Sequence, residues 1–139
     1  MDNKRFKDAN VDHYFEKVVG PGVVDGYTLR FTRRAHDGGR ADIVEEGGSV
    51  EGKVYKLTKE SLPYLYRREG VKAGCYRPAV VQVRLDDDSI RDALTFVVVE
   101  KEEEVAPPEH YWKEIVLGGE GCLSEEYMDR LKKRMKELY

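Results

Sequence analysis

The sequence predicts an α+β fold on three observations: five short runs with strand patterning, a helical segment between the third and fourth of them, and two helices that close the chain. Glycine- and aspartate-rich turns separate the runs. No internal repeat and no Ser/Pro-rich linker interrupts the 139 residues, so residues 1–139 read as one soluble domain. Short strands with helices around them suit a compact mixed sheet or a small barrel.

The first twenty residues are polar, with a short helix expected around Asn3 to Asp8, and they end in Gly20-Pro21-Gly22, a strong turn signal. Tyr27, Leu29 and Phe31 alternate with Thr28, Arg30 and Thr32, the period-2 pattern of a half-buried strand. Asp37-Gly38-Gly39 turns into a second strand, Ala41 to Val44, and Gly47-Gly48 turns into a third, Val50 to Leu57. Within the third, Gly52 suggests a bulge or a close backbone approach. Ala79, Val81, Val83 and Leu85 share one face of a fourth strand. Asp86-Asp87-Asp88 leads into a fifth, Ala93 to Val99, whose continuous apolar run suggests burial on both faces. Pro107-Pro108 introduces a helix with Tyr111, Ile115 and Val116 at helical spacing. Ser124 looks like the N-cap of the last helix, with Glu125 and Glu126 in its first turn, lysines near its far end and Tyr127, Leu131, Met135 and Leu138 as its apolar stripe.

Composition narrows the function classes. Twenty-four basic against 27 acidic side chains leave a net charge of -3, a sign-mixed surface that gives no electrostatic reason to expect nucleic acid or anionic lipid as partner. No apolar run approaches the ~18 to 20 residues of a membrane span, and Met1 to Arg5 has no apolar signal core behind it. Cys75 and Cys122 lie far apart, and His13, His36 and His110 are scattered, so neither a disulfide scaffold nor a metal site is expected. A cytoplasmic protein without cofactor is the expectation.

One titratable residue stands out. In the segment from Thr58 to Gly70, Leu62, Leu65 and Glu69 fall at i, i+3 and i+7, so the carboxylate projects from the leucine face. Pro63 fits a first turn that starts near Ser61, and Gly70 supplies the stop. Desolvation and the negative end of the helix both disfavour the ionised form of such a glutamate, which raises its pKa toward the range useful for moving protons near neutral pH. The same carboxylate can instead be structural, paired with Arg34, Arg68 or Arg77, or can turn out to solvent.

Arg68-Glu69-Gly70-Val71 with Gly74-Cys75-Tyr76-Arg77 resembles the helix-end signature of the gamma-glutamylcyclotransferase-like family. Further blocks agree in order: Gly26 to Arg34 with Gly38-Gly39 and Ala41-Asp42-Ile43, then Val50 to Thr58, then Pro107 to Tyr111 through Gly118. Leu123-Ser124-Glu125-Glu126-Tyr127 is similar to the family's closing Leu-Pro-x-x-Tyr. The resemblance runs from about Gly20 to the end of the sequence. It implies a small mixed β-barrel with flanking helices, and an enzyme that releases 5-oxoproline from γ-glutamyl amino acids, amines or related peptides. Glu69 matches the family's general acid/base. Tyr111 matches the tyrosine that borders the substrate pocket, although a core aromatic at a helix start has the same signature, and Tyr76 is expected to reach the same cleft.

The family's Tyr-Gly-Ser-Asn loop, expected to hold the γ-glutamyl group and to offer N–H groups to the oxyanion, has no counterpart in the sequence. Met1 to Phe6 resembles the start of the helix that follows it. Such donors are often the largest catalytic contribution, and a barrel without one strand exposes hydrogen-bonding edges. Three expectations stay open: an upstream segment that carries the loop, a strand supplied by a partner (a homo-oligomer paired through a strand edge included), or a non-catalytic binding or assembly module on the same fold.

Overall fold

The computed structural model describes residues 18–139. The helix expected around Asn3 to Asp8 lies outside them. Among the described residues six strands are present: β1 Val18–Asp25, β2 Thr28–Ala35, β3 Gly38–Val44, β4 Ser49–Tyr55, β5 Tyr76–Leu85 and β6 Ile90–Val98. A 3₁₀ turn, Lys59–Ser61, leads into α1, Leu62–Arg68, and the chain closes with α2, Glu109–Gly119, and α3, Glu125–Leu138.

The strands divide into a four-stranded sheet ordered β4-β1-β5-β6 and a two-stranded ribbon, β2-β3. Every described pairing is antiparallel, so the mixed sheet expected from the sequence is corrected. The barrel expected from the resemblance is not closed by the described strands either. Where β3 approaches β6, a side chain takes the place of a ladder. Asp42, 2% exposed, accepts from the Val98 N–H at 2.9 Å, from Thr32 Oγ1 at 2.7 Å and from Lys101 Nζ at 2.7 Å.

The Gly20-Pro21-Gly22 turn is a second correction: these residues lie inside β1, at the centre of the sheet. Pro21 is tolerated because the β5 ladder begins at Gly22, one residue later. Gly22 is there for space, since a Cβ would stand 2.3 Å from Val83 Cγ1 and 2.9 Å from Val54 Cγ2. Gly52, the glycine expected to mark a bulge or a close approach, does neither. It pairs in regular register with Gly22, and a Cβ on it would meet nothing within 4 Å. The run from Ala93 to Val99 is also not buried on both faces. Among the described strands β6 lies at the edge of its sheet, buried at Val97 and Val98, while Leu94 is exposed.

The core is laid down by the faces read from the sequence. Val81, Val83 and Leu85 of β5 pack with Val24, Tyr27, Ile43, Val54 and Ala93. Tyr127, Met128 and Leu131 of α3 pack on Leu29 of β2 and on Trp112, Ile115 and Val116 of α2. Ser124 caps α3 as expected, its Oγ accepting from the Tyr127 N–H at 3.2 Å, and Glu51 of β4 holds the cap by accepting from the Ser124 N–H and hydroxyl.

Candidate active site

The site is built on three connections. The first is the end of α1. Ser61, wholly buried, donates from its hydroxyl to the Thr58 carbonyl at 2.7 Å, and Pro63 sits in the first turn, where its missing N–H is harmless. Leu65 anchors the helix among Tyr55, Leu57, Tyr64 and Phe96. The helix then ends in a Schellman motif. The Gly70 N–H bonds the Arg67 carbonyl at 3.1 Å, and the Val71 N–H bonds that of Tyr66 at 3.0 Å. Gly70 takes φ +63°, in the left-handed region where a side chain is strained. Glu69 is the C-cap residue, half-buried, its N–H on the Leu65 carbonyl at 2.9 Å. The backbone at this position is therefore fixed by hydrogen bonds on both sides.

The second connection brings Tyr76 from the start of β5. Cys75 N–H bonds the Gly70 carbonyl at 3.1 Å, so the chain leaves α1 and enters β5 within a few residues. The Tyr76 hydroxyl donates to the Ala41 carbonyl at 2.8 Å. Its pKa is pushed well above the usual tyrosine value, first by burial, then by Tyr111, Glu69 and Asp42, while Arg33 pulls the other way. Tyr76 is accordingly a neutral donor at any physiological pH.

The third connection brings Tyr111 from the first turn of α2. Its hydroxyl oxygen accepts from the Ala41 N–H at 3.1 Å, so two tyrosines grip one residue of β3 from its two polar groups. What places α2 there is the segment before it. The N–H groups of Glu102 and Val105 bond the carbonyls of Thr32 and Phe31, and the Gly39 N–H bonds the Ala106 carbonyl at 2.9 Å. This passage requires glycine, because a Cβ on Gly39 would stand 2.3 Å from the Val105 carbonyl oxygen. Pro108 then starts the helix.

Of the three residues named from the sequence, Tyr76 and Tyr111 thus meet at Ala41 of β3, and Tyr76 lies in electrostatic reach of both Tyr111 and Glu69. Arg34, one of the structural partners considered for Glu69, faces Glu102 and the Glu103 carbonyl instead, and Arg77 is exposed. His110 is a solvent-facing neighbour, 3.8 Å from Asp37. Sequence reasoning missed three residues. Asp42 fixes the ribbon to β6, Arg40 lies over the Tyr111 ring at 4.9 Å from its centroid, and Arg33 donates to Cys75 Sγ at 3.2 Å. The signal for Asp42 was a lone acid between Ala41 and Ile43 in a strand. The arginines carried no pattern of their own. Two open hollows elsewhere, one beside Pro21 and Leu85, the other between Glu120 and Lys132, share no residue with this cluster.

Among the described residues no group of three or more His, Cys, Asp or Glu side chains is placed to hold a metal ion, and no helix is long and apolar enough to cross a membrane. Around the Tyr76 phenol the cluster sets a second phenol, Tyr111, the carboxyl groups of Glu69 and Asp42, and the Arg33 guanidinium.

A model of the AIG2-like family matches residues 49–131. Over 138 residues the chain is 50% identical to the putative gamma-glutamylcyclotransferase YkqA of Bacillus subtilis, covering 99% of this chain and 50% of that one. It is 33% identical over 104 residues to human gamma-glutamylcyclotransferase, covering 73% of this chain and 54% of the human one. The crystal structure of YkqA superposes with a TM-score of 0.92 at 48% identity, over 99% of this chain and 51% of that one. The chain spans about half the length of these curated relatives.

Proposed function

The chain belongs to the AIG2-like, gamma-glutamylcyclotransferase-like family, and from that premise we propose that it releases 5-oxoproline from a γ-glutamyl compound, with Glu69 as general acid/base. The observation that carries this reading is the seating of Glu69 at a Schellman-capped helix end within electrostatic reach of Tyr76. The substrate's α-amine nitrogen attacks its own γ-carbonyl carbon. The new C–N bond closes a five-membered lactam, and the C–N bond to the departing amine breaks. Over the cycle two protons leave the attacking nitrogen and two reach the departing one, and the Glu69 carboxyl group takes and gives them in turn. Ring closure brings a proximity advantage on the order of 10⁵ M or more once the substrate is folded, so binding geometry and proton transfer are what the protein must add.

Tyr76 and Tyr111 border the substrate in this reading and keep the β3 backbone in place beneath it. In this reading a Tyr-Gly-Ser-Asn loop would complete the oxyanion site and a further strand would close the barrel. The same reading sets the protein in the cytoplasm, where Cys75 and Cys122, both free thiols, stay reduced.

The test is chromatographic detection of 5-oxoproline from a panel of γ-glutamyl amino acids, peptides and amines. It is run on this chain alone and on the chain preceded by a strand ending in Tyr-Gly-Ser-Asn. Release from at least one compound by the extended form is expected. No release from any of them would leave a non-catalytic module as the function of this fold.

A further inference from the structure

Four arginines lie on the β2-β3 ribbon, and three have a carboxylate. Arg30 pairs with Glu46 and Glu104, Arg34 with Glu102, and Arg40 with Asp37 at 2.9 Å. Arg33 is the exception. Among the described residues its hydrogen-bond partner is the Cys75 thiol, at 3.2 Å, and a thiol is a weak acceptor for a guanidinium. Arg33 also stands directly opposite Arg40 in the ribbon register. Like charges directly opposite one another destabilise a strand pair, so the fold gains nothing from this placement. The position is nevertheless specific: Arg33 is half-buried, acts electrostatically on Tyr76, and touches the cysteine that packs against Gly70, next to Glu69.

Resting on the cyclotransferase reading of the site, we propose that Arg33 is a substrate-binding residue that takes a carboxylate of the γ-glutamyl compound, with Arg40 on the Tyr111 ring extending the positive wall. A planar guanidinium with no acid partner among the described residues can form charge-assisted, bidentate bonds with such a group. A γ-glutamyl amino acid presents two carboxylates, the α-carboxylate of the γ-glutamyl group and that of the departing amino acid. The chemistry that binds either is the same, and ligand choice separates them.

Dissociation constants are measured by titration calorimetry for three ligands: γ-glutamylalanine, γ-glutamylethylamide, which lacks the departing carboxylate, and 4-aminobutanoylalanine, which lacks the α-carboxylate. The proteins are this chain, Arg33→Met and Arg33→Lys. Arg33→Met is expected to weaken γ-glutamylalanine about 10- to 100-fold, the range of a charged hydrogen-bonded contact, with partial recovery in Arg33→Lys. The ligand that lacks the carboxylate held by Arg33 binds weakly to the parent and is indifferent to the substitution, which identifies the carboxylate. Arg33→Met is expected to melt no lower than the parent, because a repulsive pair has been removed. The assignment is overturned if the parent binds none of the three, if Arg33→Met binds all three like the parent, or if it loses all three together with a lower melting temperature. Selective binding without 5-oxoproline release would overturn the cyclisation and leave Arg33 standing. Release that Arg33→Met does not alter would do the reverse.

Discussion

At the residue scale, Tyr76 joins the β3 ribbon to the proposed site. Its phenol donates to Ala41 while sharing the field of Glu69, and burial keeps it neutral. A group whose folded pKa is raised stabilises the fold fully below its unfolded value and loses that contribution as pH rises through the folded one. The unfolded value is 10.0, so the Tyr76 contribution is lost only in the alkaline range above it. Tyr76→Phe should cost about 1 kcal/mol at neutral pH, the net worth of one hydrogen bond, and should show a shallower fall in melting temperature above about pH 10. Scanning calorimetry of both proteins at neutral and alkaline pH checks this. Burial also raises the pKa of Tyr127 and Tyr55, so some alkaline slope persists in the variant. Glu69 could be singled out in the sequence because helix periodicity put a charge on a leucine face. Arg33 could not. Its position opposite Arg40 depends on a register shift between Arg30 and Arg33, which residue order does not display.

At the element scale, the end of α1 sets the position of Glu69. Gly70→Ala would place a side chain at φ +63° with its Cβ 3.2 Å from that of Cys75, so the cap must open or Cys75 must move. The expected cost is about 1 to 3 kcal/mol of stability, the range for a strained left-handed residue. Cyclotransferase turnover should fall by more than that stability loss explains, because the cap that orients Glu69 is what shifts. Calorimetry and 5-oxoproline release, measured on the same variant below its melting range, separate the two effects. The helix and its stop could be read from Pro63 and Gly70, and α3 from its cap and apolar stripe. β1 could not, because Gly-Pro-Gly is turn chemistry unless neighbouring valines need the space and the proline lies just beyond a ladder. The exposed face of β6 was hidden for a related reason: an apolar run does not say whether a strand is central or at an edge.

At the scale of the whole molecule, the sheet and the ribbon are held together by Asp42 where they are not joined by a ladder. Asp42→Ala strands the Val98 N–H and removes the partner of Lys101. It should cost about 2 to 4 kcal/mol, a drop of about 6 to 12 °C in melting temperature for a chain of this size. Lys101→Met should cost less than Asp42→Ala, since the buried carboxylate loses its cation but keeps its bonds from Val98 and Thr32. Thermal melts of the two variants decide whether the carboxylate or the ion pair matters. The α+β class was legible from strand and helix periodicities, whereas the sheet-plus-ribbon division was not, because a buried carboxylate standing in for a ladder leaves no periodic trace. The proton carrier proposed on this framework is Glu69. Its most direct measurement is 5-oxoproline release by Glu69→Gln, in whichever form of the chain the substrate panel shows to be active, with the melting temperature recorded alongside. Release should fall by about 10² to 10⁴, the usual contribution of general acid–base catalysis, at an unchanged melting temperature. A glutamine variant that folds normally and keeps its turnover would contradict the account.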